Sequence, residues 1–255
     1  MTKRSIDHVA LTVRDLPAMA AFYERCLGLA ATDDNGPVRR FGAGGRVLIE
    51  LRGDPAARPR DLREARLFHT AILLPRRADL GAWLRHAADT GLRLTGASDH
   101  GVSEAIYLDD PEGNGIEIYR DRPTDSWTRH GDRIEMMTAR LDLDELAASA
   151  DGPWRGAPDG TAIGHVHLQV GDVAQADAFL ADQLGLTRTF DGPGAAWYGW
   201  NGYHHHIAAN TWNSRGAGRR PDGTAGLAEI ALRGSKEKVL NVFDPWGNKF
   251  TSTVL

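Results

Sequence analysis

Four histidines and one glutamate stand out in this chain for what their side chains could do together. His69 lies in LFHTAILLP, Glu117 closes DPEGNGIEIY, His165 opens GHVHLQV, and His205 and His100 sit in YHHHI and DHGVSEAIY. Two imidazoles and one carboxylate on a divalent metal leave several coordination positions free, the facial arrangement used by Fe(II) oxygenases. Oxygen chemistry is therefore the first expectation.

For such residues to meet, strands must carry them, and the chain repeats its strands. His8-Val9-Ala10-Leu11-Thr12-Val13-Arg14-Asp15 matches His165-Val166-His167-Leu168-Gln169-Val170-Gly171-Asp172 as H-V-x-L-x-V-x-D. Leu-Gly-Leu follows at the same interval in both copies, from Leu27 and from Leu184, which marks an internal duplication. Asp15 and Asp172 read as N-caps of helices whose apolar residues recur at helical spacing (Leu16, Met19, Phe22; Val173, Ala176, Phe179, Leu180), each closed by glycine. Short β-like segments such as 46–51 follow, so the unit is βαβββ.

A second kind of unit begins at Phe68-His69-Thr70-Ala71 and has its helix around Leu80, Trp83, Leu84 and Ala87. It contains the turn Asp110-Pro111-Glu112-Gly113-Asn114, which recurs as Asp244-Pro245-Trp246-Gly247-Asn248. Proline presets φ and glycine permits positive φ, so each stretch is a hairpin turn. The fourth unit is abbreviated, because only Gly234 to Val239 separates its first strand from the later ones and no full helix fits there. Pro123, Pro153, Pro158 and a short helix over Leu141 to Ala148 mark a connector. The expected fold class is α+β, with repeated βαβββ units forming two curved, partly barrel-like mixed sheets and helices outside. Residues 1–122 would form a first domain of two units, 123–160 the connector, and 161–255 a second domain of one full and one abbreviated unit. The Gly- and Arg-rich loop Asn213 to Gly226 reads as a mobile surface excursion rather than an anion site.

Composition narrows the partners. At 42% hydrophobic and 25% charged, the 255 residues can bury real cores. The 30 basic and 34 acidic side chains are intermixed, which gives no field for nucleic acid or an anionic membrane. Cys26 is the sole cysteine, so no disulfide forms within the chain. MTKRSIDHVALTV has no signal-peptide core, and no run of 18 apolar residues occurs. A cytoplasmic setting and a small-molecule partner are expected.

Strand side chains alternate faces. Within GHVHLQV the set His165, His167, Gln169 shares one face while Val166, Leu168 and Val170 pack beneath a helix; His69 goes with Ala71, and Glu117 with Tyr119. A single strand histidine is usually just hydrogen-bonded. Histidines on the first strands of three units, with a carboxylate that would be costly to bury alone, point instead to coordination.

The sequence resembles the vicinal oxygen chelate superfamily (glyoxalase, bleomycin resistance and extradiol dioxygenase proteins), and within it the two-domain bacterial catechol 2,3-dioxygenases. The resemblance spans nearly the whole chain and is most specific in DHGVSEAIYLDDPEGNGIEIY, GHVHLQV and GYHHHI. It implies Fe(II), or Mn(II), bound by one first-strand histidine from each of two paired units and by a last-strand glutamate. It further implies a distal acid-base histidine, a second histidine before a glycine, and a tyrosine shortly before the D-P-x-G-N turn. Those roles fall on His205, His100 and Tyr107, with a diphenol and O2 as partners and a homo-oligomer by analogy.

Which units pair decides the ligands. Pairing the first and second gives His8, His69 and Glu117, with no histidine between His8 and His69 for the distal role. Pairing the second and third gives His69, Glu117 and His165, with His205 completing the set; this arrangement fills every role and is the expected one. The fourth unit has Thr251 where Glu117 would recur. Extradiol cleavage of a catechol-like diphenol follows as the expected activity. Its rivals are a glyoxalase-like isomerase using His8, Glu50, His69 and Glu117 with Ni(II) or Zn(II), and a metal-free drug-binding resistance protein. Only one or two of His204, His205 and His206 can face the cavity, and Trp197, Tyr198, Trp200 and Trp212 are divided between pocket wall and core packing.

Overall fold

The computed structural model describes residues 4–235 and 239–254. The first unit runs β1 (Ser5–Val13), α1 (Leu16–Leu27), β2 (Ala30–Asn35), β3 (Val38–Ala43), β4 (Arg46–Gly53). The second is β5 (Arg66–Leu73), α2 (Arg77–Asp89), β6 (Leu94–Asp99), β7 (Ser103–Asp109), β8 (Gly115–Asp121). A connector carries the two-residue strands β9 (Arg129–His130) and β10 (Arg133–Ile134) and the helix α3 (Leu143–Ala148). The third unit is β11 (Ala162–Gln169), α4 (Val173–Leu184), β12 (Thr187–Gly192), β13 (Ala195–Gly199), β14 (Ile207–Asn210); the fourth is β15 (Gly226–Ser235), β16 (Leu240–Phe243), β17 (Lys249–Val254). Part of the short link expected between Gly234 and Val239 lies outside the described residues, at 236–238.

The chemistry of the caps sets the helix ends. Asp15 and Asp172 accept hydrogen bonds from the backbone N–H groups of Ala18 and Gln175, and Gly28 and Gly185 close α1 and α4 at φ 59° and 62°. The two D-P-x-G-N turns are built alike. Asp110 accepts from the backbone and side-chain N–H groups of Asn114, and Asp244 does the same with Asn248. These clamps join β7 to β8 and β16 to β17 as antiparallel hairpins.

Two mixed sheets result. One has the order β16-β17-β15-β1-β4-β3-β2, from the first and fourth units; the other is β12-β13-β14-β11-β5-β8-β7-β6, from the second and third. Each is joined at its centre by an antiparallel pair of first strands, β1 with β15 and β11 with β5. Ile6, Val9 and Leu11 of β1 and Ile163, Val166 and Leu168 of β11 belong to one apolar core with the buried faces of α1, α2 and α4. The strand alternation read from GHVHLQV is met there: valine and leucine go to the core and the polar set to the opposite face.

The loop at 213–226 departs from the expected mobile excursion. Ser214 Oγ donates to Val170 O, Gly216 N to Gly171 O, Trp246 Nε1 to Ala217 O and Arg220 N to Trp246 O, so the segment is tied down along its length. Glycine and arginine content could not reveal backbone partners so distant in sequence. Cys26 is fully buried in α1, and burial pushes its thiol up to about 12. A thiol of that kind is inert. The native protein is expected to give no reaction with a thiol-specific chromogenic disulfide and to release one equivalent after unfolding in guanidinium; native-state labelling would contradict this packing.

Candidate metal centre

The β5/β11 seam builds the site. Across it His167 stands opposite His69 and His165 opposite Ala71, while on the other flank of β5 Ala71 is opposite Glu117 of β8. Three neighbouring strands thus present His69, Glu117 and His165 to one point. Their ligand atoms lie within 4.8 Å of one another, and among the described residues this is the one such group of His, Cys, Asp or Glu. Glu117 Oε2 is 3.0 Å from His69 Nε2 and 3.2 Å from His165 Nε2. All three residues are buried.

The electrostatics suit a cation. Burial alone would raise the Glu117 carboxyl, but the two imidazoles beside it hold it well below the usual carboxylate range. Burial pushes His165 down to about 4, against the pull of Glu117. At neutral pH the set therefore offers one anionic oxygen and neutral imidazole nitrogen, the protonation that metal binding requires. His69 Nε2 is buried and makes no hydrogen bond despite its nearness to Glu117. An orphaned nitrogen that converges with a carboxylate oxygen and a second imidazole fits a divalent ion with nitrogen and oxygen donors.

The triad opens into a cavity of about 610 Å³ lined by Phe68, His100, Tyr107, Trp197, His205 and Trp212, among others. His205 faces it, with its ring centroid 4.0 Å from that of His165. Burial and the surrounding imidazoles keep His205 well below its ordinary value. His100 and Tyr107 form a linked pair. With Nδ1 of His100 donating to Met137 O at 2.8 Å, its Nε2 accepts from the Tyr107 hydroxyl, also at 2.8 Å. Burial and the charge of Glu117 raise Tyr107 well above the normal phenol value, so it stays a neutral donor.

The three consecutive histidines do not lie on a strand; β14 starts at Ile207. His205 alone among them lines the cavity, His204 reaches Asp121, and His206 accepts from Trp200 N. The four aromatic residues divide: Trp197 and Trp212 wall the cavity, whereas Tyr198 and Trp200 pack in the core. Sequence reading missed Met136, Met137 and Thr138, which come from the connector and cover the cavity. No periodicity marks them. It also missed Asp121, although Glu117, Tyr119 and Asp121 share a face by simple alternation.

His8 stands apart. It lies on the other sheet, where its Nδ1 contacts Asp7 at 3.2 Å. The equivalent positions around it follow from register: Ala10 opposes Glu229, His8 opposes Ala231, and Ala231 opposes Thr251. Glu229 and Thr251 thus stand where His69 and Glu117 stand in the second sheet. Thr251 Oγ1 donates to Glu229 at 2.6 Å, and Arg52 and Lys249 neutralise the same carboxylate. Glu50 is held by Arg40 and Arg52, each at 2.6 Å. The isomerase set His8, Glu50, His69, Glu117 is therefore overturned: two of its members lie on each sheet, and Glu50 is already neutralised.

A family model described as the glyoxalase/bleomycin resistance protein/dioxygenase superfamily matches residues 5–118. The chain is 39% identical over 230 residues to the catechol-2,3-dioxygenase of Bacillus subtilis (strain 168), a match covering 87% of this chain and 80% of that protein. Biphenyl-2,3-diol 1,2-dioxygenase 3 of Rhodococcus globerulus is 29% identical over 128 residues, 46% of this chain and 63% of that protein. Among solved structures, glyoxalase I from Zea mays aligns over 98% of this chain and 92% of its own, with TM-score 0.59 at 17% identity, a likeness of fold. Among the described residues no helix is long and apolar enough to cross a membrane.

Proposed function

The chain belongs to the glyoxalase/bleomycin resistance protein/dioxygenase superfamily, and on that premise we propose that it is an extradiol dioxygenase cleaving a catechol-like diphenol with O2 at Fe(II) held by His69, Glu117 and His165. The observation that carries this reading is the convergence of two imidazoles and one carboxylate on a single point beside a third imidazole, His205. Three protein ligands leave room for a chelating diphenol and for O2; Mn(II) suits the same donors. When bound, the ion supplies Lewis acidity toward the diphenol hydroxyls and the redox capacity that O2 requires.

The rest falls to side chains of this chain. Phe68, Trp197 and Trp212 line the cavity and supply aromatic surface against which a substrate ring can pack. The His100–Tyr107 pair fixes the orientation of a substrate oxygen by hydrogen bonding. His205, neutral and at the cavity wall, takes a hydroxyl proton at its ring nitrogen and returns one as the ring opens. Both atoms of O2 enter the product as the carbon–carbon bond next to the diol breaks, so no external reductant is consumed.

Anaerobic reconstitution with Fe(II), followed by a panel of diphenols in air, tests the reading. The expected result is a yellow ring-opened product with one O2 taken up per diphenol. Tight Fe(II) binding with no diphenol in a broad panel consumed would show that ring cleavage is wrong.

A further inference from the structure

A chain of buried and half-buried polar groups runs from the far end of β8 to His205. Asp121 is the last residue of β8, and its Oδ1 is 2.8 Å from His204 Nε2. His204 Nδ1 is in turn 2.7 Å from His205 Nδ1. The second carboxylate oxygen of Asp121 accepts from the Tyr203 hydroxyl at 2.8 Å, and Tyr119 OH is 2.8 Å from Tyr203 OH. His204 is completely buried between Tyr203 and Trp127, with ring centroids 4.1 and 5.2 Å away.

We propose that Asp121, acting through His204, holds His205 in the tautomer that carries its proton on Nδ1 and turns a bare Nε2 to the cavity. The bookkeeping of donors leaves one solution when both imidazoles are neutral. A carboxylate only accepts, so His204 Nε2 must bear hydrogen. Its Nδ1 then has a lone pair and no proton. The contact to His205 Nδ1 is satisfied only if that atom donates, and a neutral imidazole has no second proton for Nε2. Both oxygens of Asp121 are occupied, so the carboxylate cannot turn away and release the chain. Asp121 touches neither the cavity nor the triad and is a positioning residue.

The catalytic consequence, which rests on the ring-cleavage reading, is that His205 starts as an acceptor for a diphenol proton. The wrong tautomer would present an N–H to that hydroxyl and block the first transfer. β8 would then serve twice, placing the Glu117 carboxylate in the triad and, one turn of alternation beyond Tyr119, the carboxylate that presets the base.

Long-range proton–nitrogen correlation spectra of protein labelled with nitrogen-15 at histidine separate the two tautomers, in metal-free protein and with Zn(II) as a diamagnetic ion. Wild-type His205 is expected as the Nδ1–H form. In Asp121→Asn and in His204→Phe the population should move to Nε2–H, the form a free imidazole side chain favours. With Fe(II) and an accepted diphenol, kcat should fall roughly 10²-fold in both variants while metal content and KM are unchanged. Asp121→Glu should recover part of the loss. Wild-type His205 found as Nε2–H, or the same tautomer in wild type and both variants, overturns the proposal. The spectra need no turnover: if no diphenol is consumed but the tautomer moves as expected, the positioning chain stands and the ring-cleavage reading alone fails.

Discussion

His165→Ala is expected to weaken Fe(II) binding by about 100-fold or more, whereas His8→Ala binds as the wild type does. The two histidines are the same residue of a repeated motif, and the difference comes entirely from what faces them. His165 meets His69 and Glu117 across the β5/β11 seam. On the sheet of His8 the position matching His69 is Glu229, a carboxylate already bonded to a threonine and two cations. Outer hydrogen-bond partners of metal ligands are worth 10- to 100-fold in affinity, so loss of a direct ligand should cost at least the upper end of that range. Metal content after gel filtration, backed by competition with a chelator of known affinity, measures it. Loss of metal with His8→Ala alone would overturn the ligand set.

The second large effect is on turnover. His205→Gln should lower kcat by roughly 10² to 10⁴, the ordinary contribution of a positioned acid-base group. Metal content should not change, because His205 lies against His165 and outside the triad. Glutamine keeps a polar side chain of similar reach but cannot exchange a proton near neutrality. Single-turnover measurements on Fe(II)-loaded protein separate this loss from slow product release. An unchanged kcat would move the proton transfer to another group of the cavity.

Much of the frame was legible from residue types. Asp15 and Asp172, followed by a helical stripe and a glycine, are local signals with local causes, and the D-P-x-G-N turns are as explicit. The strand pairing was legible for a different reason. Only the arrangement joining the second and third units gave a histidine to every role, and the sheets have that order. What sequence could not yield were contacts made by irregular backbone. Residues 203–206 are a loop, so alternation could not assign directions to three adjacent histidines, and the cover given by Met136 to Thr138 follows no periodicity. The pinning of 213–226 depends on groups 26 to 45 residues away, beyond any local pattern.

The ion-paired face of the first sheet bears on how the molecule has divided its labour. A guanidinium seated between Glu50 and Glu229 does with fixed charge what an ion would do with mobile charge, and it needs no supply from solution. One half of the duplicated protein is thereby self-sufficient, and the other, on the proposed function, draws a cation from its surroundings. Mutational drift should weigh differently on the two. On the proposed function, changes on the salt-bridged face would be answerable to folding and changes between residues 66 and 210 to turnover, a division of one duplicated frame into a scaffold and a working site.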